Sequence, residues 1–374
     1  MPKQDHERLR VLMAGGGTGG HLFPALAIAR GLREIDDRCD IRFVGSRHGL
    51  EARILANQNE VFYPLNIRGI QRGWGPLSLG RNLIFPWRFV VSQLRCRQII
   101  KGFKPHVAVG TGGYASGLPL LEAQRQGIPT LIQEQNSYPG ITTRRLARNA
   151  NLVCLTYETT LQYLHCKDWV LTGNPIRFDR NIPNRQTARR QLGLPARRQT
   201  VLILGGSQGS RPLNNHFLAH WRTYTEKMGV HLLWQTGAAS YKRLAQATGD
   251  TEHVTCVPFI SDMASAYAAA DLVVCRAGAT TVAELTYMAK PSILIPLPSA
   301  AADHQTRNAK VLVNHKAARM VPQRELSQGK LEAVVKRLIQ YPDRLRAMAK
   351  RAQSLAQPDA TKIIVEHILQ LAET

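Results

Sequence analysis

Near the start of the chain a glycine run closes on a histidine: Gly15-Gly16-Gly17-Thr18-Gly19-Gly20-His21. Gly15, Gly17 and Gly20 fit G-x-G-x-x-G, in which bare backbone N–H groups and the positive end of a following helix receive a pyrophosphate. A dinucleotide reading needs an acidic residue closing the second strand. Residues 41–44 lead instead into Gly45-Ser46-Arg47, with Asp36, Asp37 and Asp40 ahead of that strand. Arg47 could meet a 2′-phosphate, which keeps an NADP enzyme as an alternative. His21 stands at the mouth of the loop, and imidazole is the side chain best suited to general-base work at neutral pH. A purely structural helix-start histidine is the competing reading.

A second constellation follows Cys275, in the order Arg276, Ala277, Gly278, Ala279, Thr280, Thr281, Val282, Ala283 and Glu284. Small residues at a helix start let backbone N–H groups approach a phosphate, and the positive helix end favours its charge. Glu284, about one turn further, can accept hydrogen bonds from both hydroxyls of a ribose; its alternative role is to stabilise its own helix. No Asp-x-Asp pair is present to carry a cation against a leaving diphosphate, the nearest approach being Asp250-Thr251-Glu252. The expectation is therefore no metal and no cofactor, with helix dipoles, amides and Arg side chains stabilising the leaving group.

Such loops need a scaffold. Short apolar runs at residues 9–14, 41–44, 106–109, 130–132 and 152–155 alternate with helical stretches, the first helix being expected at 24–32, and several runs end in glycine. That is the pattern of a parallel sheet covered on both faces. After an arginine-rich polar stretch the pattern restarts at 201–204, followed by Gly205-Gly206-Ser207-Gln208-Gly209, with strands expected at 231–234, 254–257, 272–275 and 292–295. The fold class is α/β, two tandem Rossmann-like doubly wound domains facing a cleft. The expected domains are residues 1–173, completed by a C-terminal helix at 358–374, and residues 174–357. Pro342 and Pro358 read as first-turn prolines of terminal helices.

The chain of 374 residues is long enough for two cores. Neither a secretory signal nor a membrane span is legible. Six scattered cysteines with no C-x-x-C pair read as free thiols in a reducing cytoplasm. With 49 Lys and Arg against 26 Asp and Glu, the net charge of +23 asks for an anionic partner. Nucleic acid is one such partner, but aromatic content is 6% and no nucleic-acid motif is present. Residues 68–104 interleave Trp74, Leu77, Leu79, Leu83, Phe85, Trp87 and Phe89 with arginines and lysines. This composition suits an anionic membrane surface, although a core helix with a solvated face would look similar.

The ordered motifs Gly16 to His21, Gly112-Gly113-Tyr114, Glu134-Gln135-Asn136, Gly173-Asn174-Pro175-Ile176-Arg177, Gly205 to Gly209, Cys275-Arg276-Ala277-Gly278 and Asp303-His304-Gln305 together resemble the bacterial MurG family. The resemblance spans nearly the whole chain. It implies an inverting transferase of the GT-B type that moves N-acetylglucosamine from UDP-N-acetylglucosamine to lipid I, giving lipid II for peptidoglycan synthesis. It further implies a peripheral enzyme on the cytoplasmic face of the inner membrane, with other cell-wall synthesis proteins as further partners and no nucleic acid. Arg177, Ser207, Ile260, the residues from Ala279 to Glu284 and Gln305 would surround the donor. Thr18, Gly19, Gly20 and Asn136 would reach the sugar and acceptor, with His21, Tyr114 and Asn136 as the catalytic set. Two departures stand out: Gln133 occupies a position where the family commonly has His, and residues 296–302 are rich in Ala and Ser. A UDP-N-acetylglucosamine 2-epimerase, with the same architecture and donor, is the nearest rival.

Overall fold

The computed structural model describes residues 8–67, 85–176, 178, 182–249 and 251–373; the side chains of Leu50, Phe85 and Pro86 are outside that description. The chain divides into two units, Met1–Arg177 with Pro358–Thr374, and Phe178–Gln357.

Unit 1 runs β1 (Arg10–Ala14), α1 (Gly19–Ile35), β2 (Asp40–Ser46), α2 (Leu50–Asn57), β3 (Val61–Leu65), α3 (Phe85–Phe103), β4 (Val107–Gly110), α4 (Gly117–Arg125), β5 (Thr130–Glu134), α5 (Ile141–Leu146), β6 (Leu152–Leu155) and β7 (Trp169–Leu171). The strands form one parallel sheet in the order β3-β2-β1-β4-β5-β6-β7. Period-2 alternation sends neighbouring side chains of a strand to opposite faces. Val11 and Met13 of β1 accordingly join Leu22, Ile28 and Leu32 of α1 in one core, while Leu12 joins Cys96, Ile100 and Leu120 in the other. Both faces being covered, the strand reads as an unbroken apolar run.

Unit 2 runs α6 (Arg185–Gln191), β8 (Thr200–Leu204), α7 (Arg211–Arg222), β9 (His231–Gln235), α8 (Ala238–Thr248), β10 (Val254–Val257), α9 (Met263–Ala269), β11 (Leu272–Cys275), α10 (Ala279–Tyr287), β12 (Ser292–Leu294), α11 (His304–Asn314), β13 (Ala318–Met320), α12 (Lys330–Ile339) and α13 (Pro342–Gln353). Its parallel sheet has the order β10-β9-β8-β11-β12-β13, with Leu272 and Val274 on one face and Val273 and Cys275 on the other. In each sheet the order reverses beside the first strand, between β1 and β4 and between β8 and β11. Loops leaving the two strands diverge there and open a crevice at their carboxyl ends.

The last helix, α14 (Ala360–Ala372), belongs to unit 1, where Ile364, Val365 and Ile368 pack with the apolar face of α1. A fully buried Arg189 on α6 ties unit 2 together: it donates to Asp271 Oδ2 at 2.7 Å and to the carbonyls of Ala269, Pro195 and Ala196. Burial lowers the guanidinium pKa from its ordinary value.

Three strands go beyond the sequence expectation, and all are sheet edges: β3 carries Pro64, and β7 and β13 have three residues each. Short and proline-bearing strands are tolerated at edges because part of their backbone needs no ladder partner. Helix α1 begins at Gly19, five residues ahead of Pro24, which falls inside it. Pro342 opens α13 as expected, but Pro358 precedes the N-cap Asp359 of α14 and is not in its first turn. The six cysteines are free; burial pushes the Cys96 thiol up to about 12, so it stays protonated at neutral pH.

Candidate active site

The switch point of unit 1 brings the loop after β1 against the loop after β4. His21, in the first turn of α1, points Nδ1 at the Thr111 carbonyl (3.1 Å) and at Gln135 Oε1 (3.1 Å). The Gln135 amide is oriented by its own partners: Nε2 donates to Thr111 O at 2.6 Å, to Gln133 O and to Gln133 Oε1, all acceptors, so Oε1 must be the atom facing His21. Two acceptors against Nδ1 put the hydrogen there. That tautomer leaves the lone pair on Nε2, which has no hydrogen-bond partner among the described residues, the arrangement a general base requires. Gln133, fully buried, donates to Asn174 Oδ1 at 3.2 Å and so serves as a neutral link in this chain of amides.

The two loops touch backbone to backbone. Gly113 has φ +79°, and a Cβ there would run into the Gly16 carbonyl; one at Gly112 would lie 2.8 Å from His21 Nδ1. Tyr114, 38% exposed, packs its ring against Gly17. Thr18 is exposed and N-caps α1, whose first-turn N–H groups at Gly19 and Gly20 have no intrahelical acceptor. Asn136 is held by Glu134, whose Oε1 accepts from both its backbone N and its Nδ2 at 3.1 Å, while Oε2 accepts from Gly140 N. His21, Thr18, Gly19, Gly20 and Tyr114 thus gather around one pair of loops, and Asn136 follows the neighbouring strand β5.

Glu51 was not anticipated. Its carboxylate, fully buried at the start of α2, accepts from Gly17 N at 2.8 Å and Ser46 N at 2.9 Å. The central glycine of the fingerprint therefore spends its N–H on the protein itself. A pyrophosphate loses that donor, which weighs against the NADP alternative; Arg47 is exposed beyond it. The only signal in the sequence was an acidic residue just past the strand end.

In unit 2 the corresponding loops follow β8 and β11. Gly209 (φ +77°), after β8, and Gly237 (φ +81°), after β9, each present a hydrogen where a Cβ would strike the backbone of the other's loop, and Ser207 is exposed at the tip of the loop after β8. Gln235 joins the loops after β8 and β10, donating to Gly206 O and accepting from Ile260 N, each at 2.9 Å. Helix α10 starts from Gly278 without a side-chain cap. The N–H groups of Ala279, Thr280 and Thr281 are therefore open to an anion. Thr280 Oγ1 is buried there without a hydrogen-bond partner, a polar atom awaiting one. Val282 is buried and Ala283 partly exposed. Gln305 Oε1 accepts from Ala277 N (3.2 Å) and Leu297 N (3.0 Å), linking the loops after β11 and β12.

Glu284 lies further in than its sequence position suggested. It is 3% exposed, and Oε2 accepts from the buried Tyr267 hydroxyl at 2.9 Å. Arg276, a motif residue with no role assigned from sequence, is buried and donates to Ser210, Gln323 and the carbonyls of Ile295 and Pro296, bracing the loop from which α10 starts. Arg177 and Leu79 lie outside the described residues, as does the side chain of Phe85.

Helix α3 answers the question of core against surface with both. Ser92, Cys96, Ile100 and Phe103 are buried on one side, while Trp87 (70% exposed), Val90 (49%), Val91 (42%) and Leu94 (54%) share the opposite side at helical spacing. An open cavity of about 650 Å³ adjoins Val91 and Leu94, with Arg42 and Arg95 in its wall. Among the described residues no helix is long and apolar enough to cross a membrane.

Comparison with known proteins fits this geometry. Residues 11–154 match the glycosyltransferase family 28 N-terminal domain and residues 200–364 the family 28 C-terminal domain. A Bacteroides fragilis protein named UDP-N-acetylglucosamine-N-acetylmuramyl-(pentapeptide) pyrophosphoryl-undecaprenol N-acetylglucosamine transferase is 39% identical over 372 residues, covering 98% of this chain and 97% of its own. The Desulforamulus reducens protein of the same name is 40% identical over 366 residues, covering 96% and 97%. The crystal structure of Acinetobacter baumannii MurG superposes with a TM-score of 0.74 at 30% identity, covering 97% of this chain and 99% of that one. The chain belongs to glycosyltransferase family 28 and, within it, to the MurG family of N-acetylglucosamine transferases.

Proposed function

We propose that this protein transfers N-acetylglucosamine from UDP-N-acetylglucosamine to undecaprenyl-pyrophosphoryl-N-acetylmuramyl-pentapeptide, with inversion, forming lipid II. The support is nearly full-length identity of about two residues in five with transferases so named. In a single displacement the acceptor hydroxyl oxygen forms a bond to C1 of the sugar as the bond from C1 to the diphosphate oxygen breaks. The hydroxyl proton passes to a base and UDP leaves with the electron pair. His21 is that base in our reading, and the observation carrying it is the imidazole pinned through Nδ1 by Thr111 O and Gln135 Oε1, with Nε2 bare. Tyr114 and Asn136 position the acceptor; Thr18, Gly19 and Gly20 offer the rim and first turn of α1 to the sugar and acceptor.

The donor is read onto unit 2. The open N–H groups from Ala279 to Thr281 and the Thr280 hydroxyl receive the diphosphate, whose charge grows as it leaves. Glu284 takes the ribose, and Ser207, Ile260, Val282, Ala283 and Gln305 complete the surroundings. The enzyme is read as peripheral, on the cytoplasmic face of the membrane. The outward side of α3 with Trp87, and with Leu79 and Phe85 from the same stretch of sequence, dips into the headgroup region while Arg and Lys side chains meet anionic lipid. The test is UDP release from UDP-N-acetylglucosamine with and without a lipid I analogue. Release that requires the acceptor supports transfer; conversion of the sugar to its manno isomer without acceptor supports the epimerase instead.

A further inference from the structure

A second cluster of ligating side chains sits in unit 2 on α7 and α12. His216 and His220 are four residues apart on α7 and so share a face, and Glu332 comes from the first turn of α12. One ligand atom from each lies within 4.8 Å of the others. His220 Nδ1 is 3.2 Å from Glu332 Oε1, and His216 Nε2 is 3.8 Å from Glu332 Oε2. Ligand atoms each 2.0–2.1 Å from a common tetrahedral zinc ion stand about 3.3 Å apart, so small side-chain rotations bring the three into register.

Two further features point the same way. His216 Nδ1 lies 3.1 Å from the Leu326 carbonyl, which can only accept, so the hydrogen is on Nδ1 and the Nε2 lone pair faces the cluster. A backbone carbonyl on the far ring nitrogen is the usual outer partner of a metal-bound histidine. Glu332 Oε2, meanwhile, is shielded from solvent and makes no hydrogen bond. The His216 side chain is 3% exposed, Glu332 13% and His220 41%, which gives a buried floor and an entry path. We propose that His216, His220 and Glu332 bind one divalent ion of the zinc class, with water completing the shell, and that the ion braces α7 against α12. The Tyr224 hydroxyl, 2.9 Å from His216 Nε2, holds that lone pair in the ion's absence and gives it up when the ion enters.

The brace lies on the helix that follows the Gly205–Gly209 loop but uses no residue of the proposed donor site, so it stands apart from the transfer chemistry. The test uses tag-free full-length protein, stripped with chelator and titrated with Zn²⁺ by calorimetry and with Co²⁺ by visible absorption. Expected are one ion per chain, the d–d bands of tetrahedral Co²⁺ and a Tm raised by Zn²⁺. His220→Ala and Glu332→Gln, each checked for folding by its melt without metal, weaken binding by more than about a hundred-fold, beyond the loss that outer partners alone produce. His315→Ala, at an exposed histidine just past the end of α11, leaves binding unchanged. Absence of saturable Zn²⁺ binding, or equal binding by folded His220→Ala and Glu332→Gln, overturns the proposal and leaves a metal-free hydrogen-bonded cluster.

Discussion

Two acceptors converge on His21 Nδ1, and only one of them, Gln135, can be changed without touching the backbone. His21→Ala is expected to lower kcat by about 10²–10⁴ with the donor KM nearly unchanged, as loss of a general base predicts. Gln135→Leu keeps the imidazole but removes one of its two fixed acceptors. A loss of about tenfold in kcat is expected, and little further loss when it is combined with His21→Ala, because the amide acts only through the ring. Steady-state kinetics of the two single variants and the double variant check this. At the donor, Glu284→Ala is expected to raise the UDP-N-acetylglucosamine KM about tenfold or more, the scale of a lost charged hydrogen bond. Tyr267→Phe removes the hydroxyl that holds Oε2 and should raise the same KM by a smaller factor. An unchanged donor KM in both would take Glu284 out of the ribose site. His21 could be singled out from the sequence because its type and its place after a glycine run suggest the chemistry proposed for it. Gln135, Gln235 and Glu51 were not, since what makes them matter is a partner many residues away in sequence.

The central strands were legible for a physical reason: burial on both faces writes an unbroken apolar run, as in residues 201–204 and 272–275. Edge strands are freed from that constraint: β3 is apolar but carries Pro64, and β7 and β13 are only three residues long. Helix α3 was half legible. Its composition allowed a core helix with a solvated face or a membrane-facing one, and the burial of Cys96 and Ile100 opposite the exposure of Trp87 and Leu94 gives it one core side and one exposed apolar side. Trp87→Ser with Leu94→Ser is expected to weaken co-sedimentation with anionic vesicles without lowering the Tm, because neither side chain is buried. Vesicle binding equal to that of the unchanged protein would assign attachment to distributed charge alone. The arginine-rich stretch before β8 read as merely polar, yet Arg189 is a core residue. Arg189→Met should lower stability by about 2–4 kcal/mol in urea denaturation. This is at the lower side of the cost of breaking a buried pair, because Arg185 stays 2.6 Å from Asp271 and keeps that carboxylate paired.

At the scale of the molecule, each sheet carries its own glycine loop at its own switch point, with His21 beside the first and, beside the second, the N-terminus of α10 with its open N–H groups. In the proposed function, acceptor activation and leaving-group stabilisation fall to different loops on two copies of one architecture. The tandem arrangement was legible because the strand, glycine loop and helix sequence occurs twice. Which side chains fill each loop's surroundings was not, because glutamines and buried carboxylates carry no periodic signature. The most direct measurement supplies UDP-N-acetylglucosamine labelled in the sugar together with a lipid I analogue, follows label into the lipid phase and determines the anomeric configuration of the new bond by NMR. The account predicts acceptor-dependent label in the lipid product, a β linkage formed from the α-linked donor, and a rate reduced by about 10²–10⁴ in His21→Ala. Label that stays in the aqueous phase as an altered UDP-sugar, or a product with retained configuration, would contradict it.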